Sequence, residues 1–417
     1  MNSPSASTSW HRPWAGALLT LVCAVALQGC ATGAASAARA ARDTPPPIRH
    51  VFIVVLENEE YDSSFGDQSP AQYLKDLRKQ GAALPNYYGT SHYSLGNYLA
   101  LISGQAPSVA INMDCEVFED FVASGTTANG QAIGKGCVYP ASVRTLANQL
   151  DDAGFRWKGY MEDMGNNPQR ESPTCGHPPI GAPDNTQEAE PGDQYAARHN
   201  PFMYFHGIIH TPDCARNVVS MAGLAADLRT IETTPNYVFI TPNLCHDGHD
   251  GGNGGHCVNG EPGGMVSADA FLRQLVPQIL DSPAFRRDGL LIITFDESEI
   301  EEQPDPRTGA TVLVGDGTAC CNEQPGPNIP SYQAGAVGTW EKMNGPGIIG
   351  PGGGRVGAVV LSPFIRPGTV SQVPYNHYAL LRSIEDIFEV KHLGYAGQPG
   401  LASFGADIYT QPSGRPQ

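Results

Sequence analysis

Positive charge is scarce in this sequence: 25 lysines and arginines stand against 42 aspartates and glutamates, a formal net charge of −17. A protein that grips a nucleic-acid backbone needs a basic face, so nucleic acid is excluded as the partner, and any anionic ligand needs a local positive site. Long apolar runs are missing too. The run from Trp14 to Leu27 is too short for a comfortable membrane span, and no other stretch approaches that length. There is no internal repeat. A dinucleotide fingerprint is also lacking, because GPGGGRVG at 350–357 precedes its apolar strand whereas such a turn follows one.

What is present is glycine and proline, 48 and 35 residues spread through 417, which indicates one large loop-rich domain or at most two. His11, Arg12, the Trp14–Leu27 run and LQGC form an export signal of the bacterial lipoprotein type over 1–30, with lipidation expected at Cys30 and cleavage after a later alanine as the alternative. Residues 31–47, alanine-rich and ending in DTPPP, read as a flexible tether, and 48–410 as a single catalytic domain. Beyond the signal remain Cys115, Cys137, Cys175, Cys214, Cys245, Cys257, Cys320 and Cys321, an even set that in an exported chain implies disulfides. Neighbour pairing (115 with 137, 175 with 214, 245 with 257) is the simplest scheme. Cys320 and Cys321 then form either an adjacent pair or bridges elsewhere.

Strand-like runs recur at 50–56, 155–161, 236–241, 289–295 and 356–362, and helical patterns start at 71, 143, 221, 267 and 378. Alternation of this kind implies an α/β fold with a mostly parallel sheet and helices on both faces. The segments 105–140, 163–215 and 298–352 read as disulfide-bearing loop insertions over one end of the sheet.

Polar pairs close two of the apolar runs: Glu57 and Asn58 follow HVFIVVL, and Asp296 and Glu297 follow GLLIITF. Ligands of open α/β sheets bind outside the carboxyl ends of the strands, and clustered hard oxygen donors need a cation to offset their repulsion. Ser94 in SHYSLGNYLALISG stands at the amino end of a helical run, where free amides favour an anion. His199, His249 and His377 each lie just after a strand or before a helix. CHDGHDGGNGGHC offers a zinc set in Cys245, His246, His249, His256 and Cys257, but a disulfide is favoured for its cysteines.

Together VVLENEEYDSSFG, SHYSLGNYLALISG, HNPFMYF, TPNLCHDGHD, ITFDESE and VVLSPF with YNHYALLRSIEDIF resemble the bacterial phosphoesterase family. That family holds acid phosphatases and phospholipases C of the alkaline-phosphatase-like superfamily, and the match runs over about residues 48–395. The resemblance implies an alkaline-phosphatase-like three-layer sandwich. It implies that Glu57, Asn58, Asp296 and Glu297, with Ser94, hold one divalent cation, and that Ser94 is the nucleophile of a phosphoserine mechanism. It also places His199, His249 and His377 around the phosphate, with Asn97 at the Asn of the superfamily's Thr-x-x-Asn spacing. Gly96 stands where the family commonly has proline. Two-metal relatives use an aspartate where this chain has Asn243, which favours a single ion, with Asp247 as the residue able to reverse that conclusion. Histidine cations lost as pH rises through about 6.5 would give an acidic optimum. Asp62, Lys158 and Glu162 are weaker candidates, Lys158 for phosphate contact. ENEEYD and DESEIEEQPD resemble the secreted acid phosphatases, including those acting on phosphoinositides, more than the phospholipases. The expected substrate is a phosphate monoester or phosphoinositide. Phospholipase C or phosphodiesterase activity, and a non-catalytic lipid-anchored binding protein, are the alternatives.

Overall fold

Three strands whose residues are almost all aliphatic or aromatic, β1 (His50–Leu56), β5 (Tyr237–Thr241) and β6 (Gly289–Phe295), are buried along their whole length. Such strands are stable only where both sheet faces are covered. The computed structural model describes residues 45–251, 255–304, 309, 311–329 and 352–410, and the signal segment, Cys30 and residues 31–44 of the tether lie outside them. From Pro45 onward the chain forms one compact unit. Its main sheet adds β2 (Ala82–Leu84), β3 (Trp157–Met161), β4 (Val218–Ser220), β7 (Ala358–Leu361) and β8 (Thr369–Val370), in the order β8-β2-β7-β6-β1-β5-β3-β4. All neighbours are parallel except β7, which runs antiparallel to both β6 and β2. Helices lie on both faces. Phe239 shares a face with its register partner Ile53 and meets Tyr98 of α1 (Ser94–Ser103), whereas Phe52, pointing the other way, meets Phe285 of the Pro283–Asp288 helix.

The longer elements follow their apolar patterns: α2 (Leu146–Asp152) with a Thr145 capping box, α3 (Gly264–Asp281) and α4 (His377–Phe388), capped by Asn376. The pattern from 221 breaks into a short 3-10 turn and Leu224–Asp227. The insertions carry two small hairpins, Val122–Thr126 with Ala132–Lys135 and Ile300–Pro304 with Thr311–Gly315. Disulfides join Cys115 to Cys137, Cys175 to Cys214, Cys245 to Cys257 and Cys320 to Cys321, so neighbour pairing holds and the adjacent pair is the outcome for the last two. Among the described residues no helix is long and apolar enough to cross a membrane.

Strand register gathers the polar ends of the strands. Leu56 is level with Phe295, and Ile240 of β5 with Val54, so the parallel strands β1, β5 and β6 all end at one edge. Asp296 donates its backbone amide to the Leu56 carbonyl (2.9 Å), and Glu57 donates its own to the Asp247 carbonyl beyond β5 (2.9 Å). Ile292→Ala, at the buried middle of β6, should cost about 2–5 kcal/mol in denaturant unfolding while activity per folded molecule persists. A loss below about 1 kcal/mol would mean that this strand is not the packed centre.

Candidate active site

Ser94 is the first residue of α1, and the turn that presents it is unusual: Tyr93 before it has φ 70°, a left-handed conformation that non-glycine residues rarely hold. Asp114 caps the helix from outside, accepting a hydrogen bond from the Leu95 amide (2.9 Å). Gly96 has a steric reason, since a Cβ there would sit 2.7 Å from Ser91 Oγ. Ser94 and Tyr98 lie one turn apart on one helix face. Between them they hold both oxygens of Glu57: Ser94 Oγ donates to Oε2 (2.7 Å) and Tyr98 OH to Oε1 (2.5 Å).

Around Glu57 stand two further buried carboxylates, Asp247 and Asp296. Burial, then the charges of Asp296 and Asp247, raise Glu57 well above the usual carboxylate range. Burial likewise takes Asp247 and Asp296 to about 7. Asn58, at φ 46°, donates its backbone amide to Asp296 Oδ1 (3.1 Å). Asn58 Oδ1, Asp296 Oδ2, Asp247 Oδ2 and both ring nitrogens of His199 are buried without a hydrogen-bond partner. Buried polar atoms are seldom left unpaired, and a group of oxygens set among like charges suits a cation. The donor set of Glu57, Asn58, Ser94 and Asp296, all oxygen, fits a hard divalent cation.

The histidines divide. His199 stacks on the Tyr98 ring (5.3 Å between centroids), with Nε2 3.3 Å from Glu57 Oε2 and Nδ1 3.5 Å from Asp247 Oδ2. Burial, then the charge of Arg198, pushes its pKa well below the ordinary value, so it is neutral. His249 is exposed. Desolvation opposes its charge, but the Asp250 carboxylate at 3.1 Å and Asp247 outweigh this and raise its pKa. With Asn58 it lines a cavity of about 610 Å³ that also includes Glu59, Asp62 and Met265.

Four expectations are corrected by the geometry. His377 does not face the cleft: Nε2 meets the Asp296 carbonyl (2.5 Å), Nδ1 meets Tyr87 OH (3.0 Å), and burial lowers its pKa to about 4, so it is a neutral support behind Asp296. Asn97 is fully used inside the fold, its Oδ1 accepting from the Thr90 and Ser91 amides and its Nδ2 donating to Ser91. Glu297 gives one carboxylate oxygen to the ring of His92, leaving at most the other for a cation. Asn243 donates its amide to Asp163 (2.8 Å), away from the cluster, and Asp247 is the residue that comes in, so the argument for a single ion loses its basis.

Among the weaker candidates, Lys158 pairs with Asp227 (2.6 Å) and Glu162 with His246 (3.0 Å), while Asp62 stands 3.5 Å from Arg355 at the cavity rim. The zinc set is broken by the Cys245–Cys257 disulfide. Tyr98, His92 and Asp114 carry no mark in the sequence that singles them out, apart from the four-residue spacing that puts Ser94 and Tyr98 on one helix face.

The chain has recognisable relatives among known proteins. The chain is 28% identical over 252 residues to a probable acid phosphatase of Kluyveromyces lactis, and 25% over 253 to a phosphate-repressible acid phosphatase of Penicillium chrysogenum. These alignments cover 60% of this chain and 48% of each relative, so the chain spans about half the length of those relatives. It is 22% identical over 375 residues to a phosphatidylinositol-3-phosphatase of Mycobacterium tuberculosis, covering 90% of this chain and 88% of that one. A solved structure of a protein in the alkaline phosphatase superfamily from Vibrio parahaemolyticus superposes with a TM-score of 0.47 at 12% identity, over 88% of this chain and 72% of that one. The model of the Phosphoesterase family matches residues 67–391, most of the chain, and the protein belongs to that family.

Proposed function

We propose that this protein is a cation-dependent phosphatase that hydrolyses phosphate monoesters through a phosphoserine at Ser94. The observation that carries the reading is the Ser94 hydroxyl held on Glu57 at 2.7 Å, amid buried oxygens that have no partner of their own. Glu57, Asn58, Asp296 and Ser94 would hold the cation, with Glu297 able to offer one oxygen. A divalent ion there would lower the pKa of the serine hydroxyl and screen the phosphate charge.

The chain's own groups supply the rest. The α1 amino terminus presents Ser94, and the helix dipole there suits an anion. Glu57 stands ready to receive the hydroxyl proton. The new Ser94 Oγ–P bond forms as the bond from phosphorus to the leaving oxygen breaks. His249, lining the cavity beside Asn58, gives that oxygen a proton. It then takes one from the water that cleaves the Ser94–phosphate bond, while Glu57 returns the hydroxyl proton to the departing Ser94 Oγ. Neutral His199, stacked on Tyr98, lies between Glu57 and Asp247 without adding charge. An exported, lipid-anchored location fits the LQGC segment, and a phosphoinositide headgroup is the alternative substrate, suggested by the mycobacterial relative.

Ser94→Ala should reduce turnover of p-nitrophenyl phosphate by at least about a thousandfold, as expected for a lost nucleophile. Glu57, Asn58 and Asp296 should still retain bound metal by elemental analysis, with weaker affinity for the loss of one donor, and phosphoserine should be found at this position in acid-quenched wild type. Substantial activity in the mutant would remove Ser94 from the mechanism.

Chelation should abolish turnover and also lower stability in a pH-dependent way. Asp247 and Asp296 titrate near 7 in the folded, ion-free state against about 4 when unfolded, so the folded state binds more protons between those values. The Tm of the chelated protein should therefore fall as pH rises from about 4 to 7, and the Tm gain on adding a divalent cation should be largest at and above about 7. A cation effect on Tm that does not change over this range would contradict the assignment of these carboxylates.

The alkaline limb of kcat/KM should reflect His249 alone. Its raised pKa keeps it protonated through the ordinary histidine range, so activity in wild type should fall only on the alkaline side of that range. In His249→Gln the limb should flatten and the rate drop about 10²–10⁴-fold. An unaltered limb would assign the acid elsewhere.

A further inference from the structure

We propose that Arg198 is the cation that binds a non-bridging phosphate oxygen, and that it sets a preference for phosphate monoesters over diesters. This rests on the phosphatase reading and deepens it by assigning the charge that an acidic protein needs in order to hold an anion.

Arg198 precedes His199 in the 3-10 turn Ala197–His199 and is only 8% exposed. Its Nη1 is anchored to Gln187, donating to the carbonyl at 2.6 Å and reaching Oε1 at 3.4 Å. Gln187 is itself tied down, since its side-chain amide donates to the Asp114 carbonyl (3.1 Å) and to Asp184 (2.9 Å). The other edge of the guanidinium is only loosely occupied. Nε stands 4.0 Å from Asp114 Oδ2, beyond hydrogen-bond distance, and Nη2 makes no hydrogen bond among the described residues. Asp114 connects this group to the nucleophile, because its other oxygen accepts from the Leu95 amide next to Ser94.

A guanidinium that served only as the counterion of Asp114 would close on it in a two-pronged pair. Here the paired edge is the one held by Gln187, and the Nε–Nη2 edge stays open. The charge of this side chain is felt by His199, His249 and Asp247, all members of the site. Three other candidate cations cannot serve: His199 and His377 are neutral, and Lys158 is bound to Asp227. The open edge of a fixed, planar guanidinium matches two oxygens of one phosphate. A monoester is increasingly dianionic above about pH 6, whereas a diester carries one charge, so the extra cation acts more strongly on the monoester.

The test compares p-nitrophenyl phosphate with bis-p-nitrophenyl phosphate at about pH 7, where the monoester is mostly dianionic, using wild-type, Arg198→Gln and Arg198→Lys proteins with their metal bound. In Arg198→Gln the monoester kcat/KM should fall about 10- to 100-fold, and the inhibition constant for orthophosphate should rise by a similar factor, as for one lost charge-assisted contact. The diester rate should change by less than about threefold, since its single charge gains least from the cation. Arg198→Lys keeps the charge but not the fork, and serves if the Gln variant fails to fold. Its monoester KM should rise at least about threefold. A monoester-to-diester ratio equal to wild type in folded Arg198→Gln, or an unchanged monoester KM in Arg198→Lys, would overturn the assignment. Should wild type hydrolyse neither ester, the phosphatase reading fails by itself. Calorimetry of orthophosphate binding to wild type and Arg198→Lys then judges the clamp, and equal affinities would reject it.

Discussion

Everything at the candidate site depends on three parallel strands ending level at one edge of a buried sheet. With Leu56 opposite Phe295, the next residues, Glu57 and Asp296, have no choice but to lie side by side, and the segment after β5 returns Asp247 to the same place. Three carboxylates in a dry environment repel each other, and each carries a desolvation cost that, among the described residues, no ion pair with a lysine or arginine removes at close range. The remaining architecture supports this placement. His377 backs Asp296, His92 ties Glu297, and the α1 amino terminus closes the site from above the strand ends.

The large elements were legible in the sequence because their signals are long. Seven-residue apolar runs such as HVFIVVL and GLLIITF became β1 and β6 with the expected bounds, and amphipathic runs became α3 and α4. The main-sheet strands that escaped notice, β2, β4 and β8, are two or three residues long, too short to show a period. The antiparallel direction of β7 was unreadable for a different reason: a buried strand reads the same in either direction, and only its partners reveal it. The site was legible at the strand ends, where Glu57, Asn58 and Asp296 had to emerge, and at Ser94 on its helix start.

What sequence could not convey was orientation. His377 and Asn97 sit in the right region, but hydrogen bonds within the fold consume their polar atoms, something no spacing reveals. Asn243 and Asp247 show the same effect in reverse. Four residues apart, one turns toward Asp163 and the other toward His199, because the chain bends sharply between them through Asn243 Oδ1, which accepts from the Cys245 and His246 amides. The Cys245–Cys257 disulfide then holds that bend, so a residue pair that looked like zinc ligands has a covalent role in shaping the site.

The contacts of Glu57 set two demands against each other. Both of its oxygens accept hydrogen bonds, one from Ser94 and one from Tyr98, and a carboxyl group that accepts on both sides is ionised. Yet burial, Asp296 and Asp247 all favour its protonated form, which would donate from one oxygen and so reverse one of those two hydrogen bonds, taking from Ser94 or Tyr98 its role as donor. The conflict lies within the chain's own atoms. Hydroxyl donors alone lower the pKa less than burial and two carboxylates raise it, so the arrangement with Ser94 as donor calls for added positive charge near Glu57. A cation among Glu57, Asn58 and Asp296 would provide it and would hold Glu57 ionised, as the proposed role toward the serine hydroxyl requires. The open edge of Arg198 lies on the side of Asp114 and the Leu95 amide, where the charge of an arriving phosphate rather than that of Glu57 needs to be met.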